Sequence, residues 1–269
     1  MNENALLDCI EPHAPLLTAP PDGQLLYKIM RIEDLVSSIK GNYLHFTRID
    51  RYDADPHDGR QLPKDQPGNA RMKFEKKTDL SAADHYNQSR ARTYACCFSL
   101  ENSDYIWNNH ANDSTKGKVC IVFCFGKLRA MINQTLQNAE LHYNSNPCHQ
   151  IFSVNYGIIE YVERENHQAN TERLPNPIEY TYFKDKKYAE EQELRISLSA
   201  LGNGSKMLFR DSLQLPFDFR AAIANQQTIQ QILYTPDCDS AFLKTELHNL
   251  GFVPHKARNE ISFLSPCNV

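Results

Sequence analysis

A chain of 269 residues with 41% hydrophobic and 23% charged residues has the composition of an ordinary globular protein, long enough to close around one core. Its net charge of −4 supplies no basic field of the kind dedicated nucleic-acid binders use, and no window approaches the roughly 18 apolar residues of a membrane span. Eight cysteines, with Cys96 and Cys97 adjacent and no CxxC pair, suit reduced thiols in a cytosol better than a secreted disulfide framework.

Residues 1–24 carry Pro12, Pro15, Pro20 and Pro21 without a sustained hydrophobic period and read as an irregular arm. They lack the basic region and apolar segment of a secretory signal, so the expected compartment is the cytoplasm. For residues 25–269 the spacing predicts a single α+β domain, a mixed sheet core with flanking helices, carrying polar insertions near 53–92 and 163–178.

LLYKI is a short strand, after which Ile32, Leu35, Val36 and Ile39 fall at helical spacing with Gly41 placed to end the helix. YLHFTRI alternates as a second strand. The insertion at 53–92 has few large apolar residues and is expected as a surface excursion with one helix. TYACCFSL and GKVCIVFCF return to the core as strands. In the latter both parities are apolar, so both faces are buried and Cys120 and Cys124 are inert core thiols. Leu128, Met131, Ile132 and Leu136 mark one helix face, and FSVNYGIIEYV favours strand or hairpin. ELRISLSA and KMLFRDSLQL are expected as two strands around the turn LGNGS. The last unit is the strand QQILYT, a helix with Phe242, Leu243, Leu247 and Leu250 that ends at Gly251, and two short strands, FVPHKA and EISFLS.

Four stretches bear chemistry. In YAEEQELRISL the alternation of Leu194, Ile196 and Leu198 puts Glu193, Arg195 and Ser197 on the opposite strand face, with Glu191 at the same parity. A Glu-x-Glu of that kind occurs in enzymes that cleave the nicotinamide–ribose bond, where a carboxylate stabilises an oxocarbenium-like transition state. The competing reading is a solvated strand end with a weak Glu193–Arg195 pair. In IWNNHANDSTKG, Trp107 and His110 are three residues apart, so on a helical turn they share a face and can hold a planar ring, and His110 can serve as acid or base. Otherwise Trp107 is a core anchor with His110 beside it. RYDADPHDG places Asp53, Asp55, His57 and Asp58 before Gly59. That reads as a tight turn rather than a metal site, because no established ligand spacing is present. Cys97 is weighed as a nucleophile and set aside, since nothing signals a lowered thiol pKa.

In their order, LYK, the amphipathic helix, the LxF strand, the ADPHD turn, CFS, W-x-x-HA, KG-x-x-x-x-F and the Y-x-E-x-E-x-R strand resemble the bacterial family catalogued as domain of unknown function 2971, over about Leu25 to Phe263. The resemblance gives prominence to Tyr27, Lys28, Phe46, Asp55, Pro56, Asp58, Cys97, Phe98, Ser99, Trp107, His110, Ala111, Lys116, Gly117, Glu191, Glu193 and Arg195. It is imperfect: the family's NDPFD is ADPHD here, and its HYA is HAN. The succession of strand, helix, strand and a late strand with Glu-x-Glu is also similar to ADP-ribosyltransferases. That likeness implies NAD as substrate, with Tyr27 and Lys28 near the adenosine or diphosphate, Thr47 and Arg48 near the nicotinamide ribose, and Glu193 as the catalytic residue. Trp107 and His110 would then shape the pocket, and Arg195 would orient Glu193. The expected activity is ADP-ribosyl transfer to an unidentified macromolecular acceptor, or NAD hydrolysis, by a toxin or defence effector. The alternative is a non-catalytic module for a nucleotide, RNA or protein, using basic clusters at 71–77 and 184–187. Neither metal nor membrane enters the expectation, and the sequence leaves the oligomeric state open.

Overall fold

A computed structural model describes residues 10–74, 77–138, 142–143, 146–147, 151–169, 176–200, 211–224, 227–252, 254–257 and 260–263. Its frame is one large sheet, and the described strands are β1 (Leu25–Arg31), β2 (Tyr43–Arg48), β3 (Thr93–Ser99), β4 (Lys118–Cys124), β5 (Ile151–Ile158), β6 (Glu193–Ala200), β7 (Ser212–Pro216), β8 (Ile229–Tyr234), β9 (Pro254–Ala257) and β10 (Glu260–Phe263). Helices α1 (Ile32–Gly41), α2 (Gln66–Arg71), α3 (Ala82–Arg90), α4 (Asp104–Asn109), α5 (Phe125–Asn138), α6 (Phe219–Ala224) and α7 (Ser240–Asn249) accompany it. The α+β class with a sheet core and flanking helices is the one expected. Every pairing within the large sheet is antiparallel. Parallel pairing occurs in a small ribbon of Glu160–Val162 with Phe183–Asp185.

The sheet forks at β3. Along one edge β3 pairs with β6 throughout, from Ser99 opposite Glu193 to Thr93 opposite Ser199, and β5 lies beyond β6. The other edge is shared: β2 meets β3 at Ala95 and Tyr94, while β1 meets it at Ser99 opposite Tyr27. Both β1 and β2 run antiparallel to β3, so they run parallel to each other, and α1 provides the crossover that parallel neighbours require. They then diverge. β1 continues into β4 and β8, and β2 into the edge strand β7, leaving a wedge between them.

Local sequence accounts for most elements. Ile32, Leu35, Val36 and Ile39 of α1 are all buried, and the helix stops because Asn42 adopts the left-handed conformation with φ 49°. The stop is thus one residue later than Gly41, at a residue type that tolerates this region. Val119 to Phe123 are buried on both faces of β4, as the run without alternation implies. Phe98, Phe123, Phe217 and Phe219 meet edge to face at the centre of the core, a geometry that aromatic quadrupoles favour.

Three expectations change. The arm is irregular but fastened where it is described: Thr18, Asp22 and Gln24 carbonyls accept from Ile158, Gly126 and Phe125 amides at 2.8–2.9 Å, and buried Glu11 pairs with Arg129 and accepts from Asn133 at 2.6 Å. The insertion at 53–92 holds two helices, α2 and α3, not one, and it shares an apolar cluster of Leu62, Ala82 and Tyr86 with Val162, Ala169 and Tyr180. Its missing apolar partners come from the other insertion and its flanks. Finally, β7 pairs with β2 rather than with β6, so the expected two-strand hairpin does not form. The turn LGNGS and residues 206–210 lie outside the described residues.

Candidate functional site

The wedge between β1 and β2 opens into a cleft of about 710 Å³, whose wall includes Tyr27, Lys28, Tyr43, His45, Thr47, Tyr52, Cys97, His110, Lys184, Tyr188, Glu191, Glu193 and Arg195. Its size is that of a small-molecule site. Alternation on β2 sends Tyr43, His45 and Thr47 to the cleft while Leu44 and Phe46 go to the core. On β1, Lys28 Nζ donates to the Cys97 carbonyl at 3.1 Å within the fork, and Tyr52 donates its hydroxyl to the Ala95 carbonyl at 3.3 Å.

A buried ionic network forms the floor. Arg195 is fully buried and uses its whole fork: Nη1 and Nη2 grip the two oxygens of Asp58 at 2.7 Å, Nε donates to Glu193 Oε1 at 2.7 Å, and Nη1 also reaches the Thr181 carbonyl at 2.7 Å. Lys184 donates to Glu193 Oε2 at 3.0 Å and also to Glu191. Such charges endure burial only when each is paired and hydrogen-bonded. The solvated strand end is therefore overturned, because Glu193, Arg195 and Ser197 are all buried beneath Tyr161 and Tyr182.

The three carboxyls separate in acidity by how far Arg195 and Lys184 offset the burial of each. Burial opposes ionisation of Glu193, but Arg195 and Lys184 together outweigh it and hold the group well below the usual carboxylate range. Asp58 has Arg195 as its main cation, and burial raises it above its ordinary value. Glu191 is raised as well, by burial and then by the Glu193 charge, against the pull of Lys184. Two carboxyls pushed apart in this way, Glu191 upward and Glu193 downward, can divide acid–base and electrostatic duties. His110 stands at the rim, and enclosure by the cleft wall, with Lys184 and Lys28 nearby, lowers its pKa and favours the neutral imidazole.

Of the residues expected at a site, Tyr27, Lys28, Thr47, His110, Glu191, Glu193 and Arg195 come together in this cleft. Arg48 does not. It lies on the other face of β2 and is held by Asp50 at 2.6 Å, with Asp211 at 3.6 Å, since a strand reverses its side-chain direction at each residue. Trp107 is also outside the cleft wall, with its indole N–H bonded to Asn102 at 2.7 Å. The helical spacing to His110 fails because α4 ends at Asn109 and His110 is extended, with φ −113° and ψ 151°. Ile106 lines the cleft instead.

Sequence reasoning overlooked Asp58 as the partner of Arg195, and it placed Lys184 in a surface basic cluster although the side chain is buried. The signal for Asp58 was the tight turn itself. Asp55 accepts from the His57 amide at 3.1 Å and Gly59 has φ +65°, where a Cβ would come within 2.7 Å of Ile49, so the turn aims Asp58 inward. Tyr188 ties the 3-10 turn Lys186–Glu191 to that loop through the Ala54 carbonyl at 3.1 Å.

Cys97 is no nucleophile in this setting. Burial, together with the Glu193 charge, pushes its thiol up to about 12, and only a thiolate attacks. Native protein treated with iodoacetamide at pH 8 is expected to leave Cys97 unmodified, whereas denatured protein is alkylated there. Peptide mapping that found Cys97 labelled first in the native state would contradict this.

Among the described residues no cluster of three or more His, Cys, Asp or Glu side chains is arranged to hold a metal ion, and no helix is long and apolar enough to cross a membrane. No curated protein and no solved structure matches this chain. A family model described as "Protein of unknown function (DUF2971)" matches residues 106–196, a narrower span than the resemblance first suggested. That stretch includes Ile106, His110, Lys184, Glu191, Glu193 and Arg195, so the chain is similar to this family where its sequence supplies most of the cleft's ionisable floor.

Proposed function

We propose that the cleft binds NAD or a related nucleotide and that the protein transfers ADP-ribose from it to a macromolecular acceptor, or to water. The observation that carries this reading is the convergence of Tyr27, Lys28, Thr47, His110, Glu191 and Glu193 on one cleft. Cleavage of the nicotinamide–ribose bond develops positive charge on the sugar, and an ionised carboxylate facing it lowers the barrier. Glu193 stays ionised at neutral pH and supplies that charge. Glu191, whose carboxyl holds a proton more readily, suits the deprotonation of an acceptor or water. Lys28, with no carboxylate partner at ion-pair distance among the described residues, suits a phosphate. A toxin or defence role follows if the acceptor is a vital cell component.

A second reading, a non-catalytic binding module, rests on a different observation. Both oxygens of Glu193 already accept from Arg195 and Lys184, so the carboxylate can act as a structural strut beneath a bound ligand.

One experiment separates them. Purified protein is incubated with NAD, with nicotinamide release measured alongside calorimetric binding, for wild type and Glu193→Gln. Release by wild type, lost in the variant while binding persists, supports the enzyme. Binding without release in either protein supports the module, and absence of both sinks the enzyme and any module for NAD.

A further inference from the structure

A separate cavity of about 560 Å³, sharing no wall residue with the cleft, lies between residues 50–70 and α3, and its wall includes Arg60, Arg90, Gln66, Asn87 and Asp50. Two arginines, Arg60 and Arg90, line it. Arg90 donates to backbone carbonyls, Nε to Asp58 at 2.6 Å and Nη2 to Pro56 at 3.2 Å. Those partners are neutral. Among the described residues neither Arg60 nor Arg90 has a carboxylate at ion-pair distance, and Asp50, the one acidic residue in the wall, is taken by Arg48 at 2.6 Å. Burial and then the nearby Arg60 charge lower the pKa of Arg90, and the more distant charges of Asp50, Asp58 and Asp55 offset part of that shift.

Each guanidinium offers a planar fork matched to phosphate or carboxylate oxygens. Two positive charges match a phosphate dianion better than a single carboxylate. The volume exceeds that of bare phosphate and falls in the range of small-molecule pockets, and the amides of Gln66 and Asn87 add neutral donors to the same wall.

We infer that this cavity is an anion site for a phosphate-bearing small molecule, with Arg60 and Arg90 holding the phosphate group. Because Arg90 also holds the backbone of the turn that presents Asp58 to Arg195, an occupant would sit directly behind the floor of the cleft.

The probe is inorganic phosphate, titrated into the full chain by calorimetry in chloride-matched buffer. One phosphate per chain is expected to bind, with affinity reduced about tenfold or more by Arg60→Glu. Asn87→Asp, which places a repelling carboxylate on an exposed stretch of α3, is expected to act in the same direction. Lys127→Ala, at an exposed lysine of α5 that belongs to neither wall, is expected to leave the affinity unchanged. No binding at millimolar phosphate, binding indifferent to both Arg60→Glu and Asn87→Asp, or binding weakened as much by Lys127→Ala would each overturn the assignment. None of these outcomes depends on whether NAD is bound or cleaved.

Discussion

Arg195→Met is expected to destabilise the protein by about 3–5 kcal/mol, seen as a lower midpoint in urea unfolding. The side chain is completely buried and its fork meets two carboxylates, Asp58 and Glu193, and the Thr181 carbonyl. Methionine fills much of the volume but leaves both carboxylates in a low-dielectric interior without their shared cation. The loss is therefore electrostatic rather than a packing defect. Combining Arg195→Met with Asp58→Asn is expected to cost less than the sum of the single changes, because the second change removes a charge that the first left unpaired. An unchanged midpoint for Arg195→Met would show that water reaches this network and that the floor is not the closed ionic unit described above.

Glu193→Gln is expected to reduce nicotinamide release by about 10²–10³-fold, the usual scale for removing one electrostatic stabiliser of a transition state. Glutamine keeps an oxygen for the Arg195 Nε–H and loses the charge, so nucleotide binding should survive. Stability follows with a definite sign. The folded-state pKa of Glu193 lies below its ordinary 4.5, so its ionised form contributes stability above that value, and the contribution fades as the pH falls below it. The stability gap between wild type and Glu193→Gln should therefore narrow below about pH 4.5. Glu191 runs the other way: its pKa is raised above 4.5, so ionisation costs stability at neutral pH and acidification through the raised value relieves that cost. Glu191→Gln is expected to be neutral or mildly stabilising at pH 7. A Glu193→Gln protein with full activity would remove Glu193 from the chemistry and leave its carboxylate as a structural strut.

The helix faces of α1 and α5, the doubly buried β4 and the closing unit of β8, α7, β9 and β10 were all legible as local patterns. Parity on β6 likewise announced that Glu193 and Arg195 share a side, and the tight turn at residues 53–59 was visible from its Asp, Pro and Gly. Helical spacing misled at Trp107 and His110 because α4 ended first, and a strand's reversal of direction removed Arg48 from the cleft that Thr47 lines.

Periodicity and turn chemistry act over a few residues, and at that range the chain specified its α+β class, most of its elements and the identity of its ionisable groups. The forking of the sheet at β3, the joining of two polar insertions around Tyr86 and Tyr180, and the placement of Asp58, Lys184, Glu193 and Arg195 in one buried network were decided by tertiary contact alone. Whether a charged side chain on a strand meets water or a counter-charge depends on what packs above it, and here that cover, Lys184 with Tyr161 and Tyr182, comes from the segments that precede β6.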